Sequence, residues 1–231
     1  MKMNTTLDLN SQIETLCQTM VPFSPRFSRL SIQFADESHQ FFRTFFSQPS
    51  GTLLNLESLQ LIHLTRTAMS ITVFDASPRL RHVRLVVYPG VISDTTHFHL
   101  PWAQLTTLIV ERAAVTLADF IVAFLQSPQL YTARFDLVDV QDGDSSILDQ
   151  FVSSKPVVFA SLVDLTLEFC GRASPDQVPT LFKRIRLPVV ETLKLAWHPA
   201  NYRSGTAIHQ RRTGYDHPPA AQSLDCRDWE G

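Results

Sequence analysis

The side chains with the most chemistry to offer in this chain are its histidines, aspartates and cysteines, and spacing decides what they can do. His97 and His99 flank Phe98. A two-residue step on an extended segment puts both imidazoles on one side, as a metal site would need. No carboxylate or cysteine cluster accompanies them, so they read as polar residues in the loop leading to Pro101. Asp136, Asp139, Asp142 and Asp144 gather loosely, and Asp142-Gly143-Asp144-Ser145-Ser146 partly matches a calcium loop. The regular acidic spacing and the closing glutamate of that motif are missing, which leaves a polar turn. Cys17, Cys170 and Cys226 are odd in number and scattered, so free thiols in a reducing compartment are expected. His63 has no nucleophile near it in sequence. No G-x-S-x-G, G-x-G-x-x-G or P-loop occurs, and seven glycines leave little material for phosphate-cradling loops. The sequence thus predicts no catalytic residue, no metal site and no cofactor, and the protein is not expected to be an enzyme.

What positions side chains here is a phrase spelled seven times: apolar, two variable residues, apolar, one variable residue, apolar. The copies are Phe27-Leu30-Ile32, Leu56-Leu59-Leu61, Leu80-Val83-Leu85, Leu105-Leu108-Val110, Leu130-Ala133-Phe135, Leu162-Leu165-Leu167 and Val190-Leu193-Leu195. Their first positions are 29, 24, 25, 25, 32 and 28 residues apart. Recurrence at this period marks a solenoid. Of 21 slots, 20 hold a large apolar side chain and Ala133 is the exception, against about nine expected by chance at 44% apolar composition. The closing alternation suits a short strand with one buried face.

The segments between phrases supply the rest of each unit. Thr116-Leu117-Ala118-Asp119 reads as a capping box opening an apolar helical stretch with Phe120, Phe124 and Leu125. Ser174-Pro175-Asp176-Gln177 offers a second helix start, with Leu181, Phe182 and Ile185 on one face. Phe41, Phe42, Phe45 and Phe46 have helical spacing after Glu37–Gln40. Pro25, Pro78, Pro128 and Pro188 each sit two residues before a first apolar slot, where a proline ends a helical arm and releases the chain into a strand. Trp102 and Trp197 read as anchors at repeat edges.

The expected architecture is therefore an α/β, irregular solenoid of about seven repeats, with short parallel strands on the concave face and helices or irregular turns on the convex face. Residues 1–22 are expected to form a capping helix, with Ile13, Leu16, Cys17 and Met20 on its apolar side. Residues 23–200 form the solenoid. Residues 201–231 lose the phrase, hold three of the seven glycines and read as a disordered tail.

The composition narrows the partners. Charged residues make up 18%, and 20 Lys+Arg against 22 Asp+Glu give a net charge of −2. That balance gives no electrostatic reason to expect nucleic acid or an anionic membrane. No signal peptide or membrane span is evident, so an intracellular location is expected.

The phrase L-x-x-L-x-L over residues 23–198 resembles leucine-rich repeats. It departs from their consensus three residues after the last slot of the phrase, where Asn or Cys is usual: Cys170 fits, whereas Ala35, Leu64, Tyr88, Ala113, Val138 and His198 do not. In regular repeats that side chain satisfies turn backbone groups, so the resemblance implies irregular turns here. The wording Leu100-Pro101-Trp102-Ala103-Gln104-Leu105-Thr106-Thr107-Leu108, with Ser77-Pro78-Arg79-Leu80-Arg81 and Phe159-Ala160-Ser161-Leu162, is similar to the repeat region of fungal F-box proteins. In that family an N-terminal F-box docks on a Skp-type adaptor of a cullin–RING ubiquitin ligase, and the repeats select the substrate. Residues 1–25 hold no Leu-Pro-x-Glu-Ile/Leu segment, so adaptor binding is not expected from this chain. The resemblance implies a protein–protein interaction scaffold whose partner is an unidentified protein. The alternative is a truncated fragment with no independent function.

In a leucine-rich solenoid the residues between apolar slots point out of the core on the concave face. That parity names Arg29, Gln33, Gln60, His82, Arg84, Glu111, Arg134, Asp136, Asp164, Glu168 and Lys194 as the candidate partner-binding set. Ser31, Ser58, Thr107, Ile109, Thr132, Thr166 and Thr192 lie between them. Arg29, His82 and Arg84 make the first half basic; Glu111, Asp136, Asp164 and Glu168 make the second mostly acidic, with Arg134 between. A partner is expected to present complementary charge along this face, which would set specificity and association rate.

Overall fold

A computed structural model of the chain describes residues 15, 18–33, 45–46, 48–64, 71–87, 91–92, 98–138, 156–170, 182–198 and 223–224. In chain order the strands are β1 (Arg29–Gln33), β2 (Ser58–Leu64), β3 (His82–Val87), β4 (Thr107–Val115), β5 (Thr132–Val138), β6 (Val157–Val158), β7 (Asp164–Cys170), β8 (Ile185–Arg186), β9 (Thr192–His198) and β10 (Ser223–Leu224). The main sheet runs β1-β2-β3-β4-β5-β7-β9-β10. The first seven of these are parallel neighbours, and β10 adds antiparallel at the end through Ser223↔Lys194 and Leu224↔Leu193. The protein is a parallel-strand solenoid.

The phrase sets the register. Leu30, Leu59, Val83, Leu108, Ala133, Leu165 and Leu193 stand side by side across the sheet, and so do the third slots, Ile32 to Leu195. In β2, β3, β4, β5 and β7 all fifteen slots are at most 1% exposed. At roughly 1.5–3 kcal/mol for each fully buried side chain of this size, this layer is the main source of stability. The slots at the two ends are less covered: Phe27, Leu30, Val190, Leu193 and Leu195 are partly buried against the core. β1 ends the sheet, and beyond β9 lies only the two-residue β10.

Two backbone devices repeat regardless of side chain. The carbonyl of the residue after each first slot accepts two N–H groups from the next unit. Ser28, Glu57, Arg81, Thr106, Tyr131 and Val163 each do so, at 2.8–3.1 Å. The first slots are also reached through tight turns. Pro25, Pro78, Pro128 and Pro188 occupy the second position of turns closed by Phe27 N–H to Ser24 O, Leu80 to Ser77, Leu130 to Ser127 and Val190 to Leu187. Proline is preset for that position. Its role is therefore to build the corner into the strand, rather than merely to stop a helix.

The side opposite the sheet is irregular. One helix of the described residues, α1 (Leu117–Gln126), joins β4 to β5. Its capping box forms as expected: Asp119 N–H donates to Thr116 Oγ1 at 3.0 Å and Thr116 N–H to Asp119 Oδ2 at 3.2 Å. Phe120 and Phe124 turn inward, but Leu125 faces solvent. Phe124 stacks on Phe159 with ring centroids 3.9 Å apart, and Phe120 meets Phe135 edge-on at 4.8 Å. Elsewhere short parallel pairings tie successive returns together: Ile71 with Phe98, and β6 with β8. Ile185, expected on a helix face, lies in β8, where it pairs with Val157 and is buried. Phe45 and Phe46 are helical and buried, and Phe46 packs edge-on against Phe74.

Several expectations fall outside the described residues: Ile13, Leu16 and Cys17 of the capping helix, Phe41 and Phe42, His97, Asp139 to Asp144, and the helix start at Ser174. Thr15, Gln18, Thr19 and Met20 are helical and exposed. Of residues 201–231, Ser223 and Leu224 are described. No helix of the described residues is long and apolar enough to cross a membrane.

Candidate functional site

Alternation along each strand turns every second residue away from the core, and the shared register lines these residues up in three rows. The first row is Arg29, Ser58, His82, Thr107, Thr132, Asp164 and Thr192; the second is Ser31, Gln60, Arg84, Ile109, Arg134, Thr166 and Lys194. The third holds Gln33, Ile62 and Val86, then Glu111, and then Asp136, Glu168 and Ala196. All eleven candidate residues lie on these rows.

The structure brings five of them into one network. Arg84 donates to Glu111, with Nε 2.9 Å from Oε1 and Nη2 closer still. Arg134 lies among three carboxylates: Nη2 is 2.6 Å from Glu168 Oε1, Nε 3.8 Å from Asp136 Oδ1, and Nη1 4.0 Å from Glu111 Oε2. His198 Nε2 then reaches Glu168 Oε2 at 3.3 Å. Arginines and carboxylates thus alternate from β3 to β7, and the His198 imidazole extends the row to β9.

Local backbone makes this possible. β4 pairs with β5 in register up to Val110↔Phe135, then slips so that Val115 meets Leu137. Such an irregularity re-aims side chains. Glu111 is the first residue of it and is 7% exposed, held between arginines on the strands to either side. A carboxylate buried this far needs such partners.

No family model, curated protein or solved structure matches the chain. What the outward face can do therefore follows from its own chemistry.

The remaining candidates are not drawn into the network. Arg29 and Gln33 on β1 and Lys194 on β9 are exposed, and Gln60 and Asp164 are half-buried. His82 is exposed, with Nδ1 3.1 Å from Thr107 Oγ1. The acidic half expected from sequence is thus largely neutralised by Arg134 and by Arg84, which pairs with Glu111 rather than adding to the basic half. Two kinds of residue were missed by sequence reasoning. Ile62 and Val86 put apolar surface on the third row, Val86 nearly buried. His198 ends the network. The same two-residue parity, carried further along the strands, would have found all three.

His99 donates its backbone N–H to Ile71 O and helps join two returns. No group of three or more His, Cys, Asp or Glu among the described residues is arranged to hold a metal ion. Trp102 is buried and edge-on to Phe98, whereas Trp197 stacks on Phe169 at 4.7 Å and stays 46% exposed on β9.

Proposed function

We propose that this chain is a protein-interaction scaffold that presents the outward face of its parallel sheet to a partner protein. The supporting observation is the division of labour along the strands. One parity fills the core, and the other sets mostly polar and charged side chains in rows across seven neighbouring strands. A surface of this kind gives extended, shape-defined contact with little tendency to enclose a small molecule.

The finer reading is a degenerate leucine-rich-repeat solenoid of about seven repeats, resembling the substrate-recognition part of an F-box receptor of a cullin–RING ubiquitin ligase. The spacing of the phrase supports the repeat assignment, and the ligase link rests on the resemblance alone. On this reading the partner is a substrate protein, and the Skp-type adaptor is not bound by the chain itself.

A photo-crosslinker placed at Gln60 or Thr166, on the outward rows, tests the proposal against one placed at Leu125 on α1. In extract from the native cell, the outward positions should label the same protein, and the α1 position should not. Equal labelling from both sides of the solenoid would overturn the assignment of the face.

A further inference from the structure

The side of the sheet where strands begin is charged very unevenly. Consider the four residues from the one before each first slot to the second after it. In the units of β1, β2 and β3 these are residues 26–29, 55–58 and 79–82, which hold Arg26, Arg29, Arg79 and Arg81 beside His82, against a single acid, Glu57. In the units of β4, β5, β7 and β9 the equivalent residues are 104–107, 129–132, 161–164 and 189–192. They hold no Arg, Lys or His, and two acids, Asp164 and Glu191.

These arginines differ from those of the central network. Arg26, Arg29 and Arg79 are exposed. Arg81 is half-buried, its Nη1 donating to the backbone carbonyls of Pro78 and Leu80 at 3.0 Å, which fixes the guanidinium without neutralising it. No described carboxylate lies within 4.0 Å of any of the four. Arg84 and Arg134, by contrast, are already paired.

We infer that the strand-start edge of β1–β3 is a docking site for an acidic, extended peptide segment of the partner protein. This rests on the proposed interaction face and names the chemistry of what meets it. Charge complementarity selects the occupant: uncompensated cations on an exposed edge favour a carboxylate-bearing partner and speed its approach. Geometry sets the spacing. β1 and β3 lie two strand steps apart, about 9.6 Å, so the arginines of the two units, Arg26 and Arg29 on one and Arg79 and Arg81 on the other, offer positive sites at about that interval. An extended peptide laid across the strands advances about 3.3 Å per residue, so acids three residues apart match it.

The test is fluorescence anisotropy of a fluorescein-labelled peptide with glutamate at every third position and Ser or Gly between, titrated with the full chain at low and raised salt. Saturable, salt-sensitive binding is expected. Arg29→Glu with Arg79→Glu should weaken it about tenfold or more. The charge-matched variant Lys183→Glu with Arg186→Glu, exposed and away from this edge, should stay within about twofold of the unaltered chain. Arg29→Gln with Arg79→Gln should fall between, and unchanged circular dichroism melts would show that the variants fold. Equal losses in the two reversed variants would mean that net charge alone attracts the peptide, and would overturn the site. No saturable binding below about 1 mM, or tighter binding of a single-stranded oligonucleotide than of the peptide, would overturn it as well. The crosslinking experiment at Gln60 and Thr166 reads the face itself, so it can succeed where this edge fails.

Discussion

The central strands and the end strands carry the same phrase and use it differently. In β2, β3, β4, β5 and β7 every apolar slot is sealed, with a packed strand on both sides. In β1 and β9 most slots are partly covered, and Trp197 in β9 is close to half exposed. In a quasi-one-dimensional fold each unit is stabilised mainly by its neighbours, so a unit with one full neighbour loses one interface. The lesson is that a slot's worth depends on its place in the row, even where the residue type is identical. The outward face repeats the contrast: charges are interlocked from β3 to β7, whereas the outward polar residues of β1 make no ion pair among the described residues.

The sharpest way to break this comparison is to empty matching slots. Phe135→Ala removes a ring packed on Phe120 and Phe124 at the centre, and should cost about 3–5 kcal/mol in urea unfolding. Leu30→Ala or Leu193→Ala, at the ends, should cost about 1–2 kcal/mol, because their side chains are only partly removed from water. Equal losses would mean that the ends are as well packed as the centre. On the outward face, Glu111→Ala leaves Arg84 and Arg134 without their shared carboxylate. It should cost about 1–2 kcal/mol, well below a fully buried pair because both arginines are over 40% exposed. Thr116→Ala removes the cap of α1 and should cost about 1 kcal/mol, read as a lowered thermal midpoint. Lys194→Ala, exposed on the end strand, should stay within about 0.5 kcal/mol of the unaltered chain.

Much of this fold could be read from sequence because it depends on a local period. Inward and outward residues follow from the spacing of Leu56-Leu59-Leu61 and its counterparts, and the cap at Thr116 follows from two residues three apart. What could not be read depends on register across 27 to 34 residues of chain. Arg84 meets Glu111, and Arg134 meets Glu168, because parallel strands align and β4 slips after Val110. No local pattern records that slip. Ile185 was misplaced for a related reason: an apolar residue at helical spacing also suits a two-residue strand, and pairing with Val157 decided between them. The carbonyl ladder through Ser28, Glu57, Arg81, Thr106, Tyr131 and Val163 is invisible in principle, since it uses backbone groups and tolerates any side chain.

Amide hydrogen exchange of the full chain, resolved strand by strand, tests the central claim most directly. A parallel-strand solenoid stabilised through its neighbours predicts the slowest exchange in β3, β4 and β5, and exchange at least about tenfold faster in β1 and β9. Exchange in β4 as fast as in β1, or slowest at either end, would contradict the account.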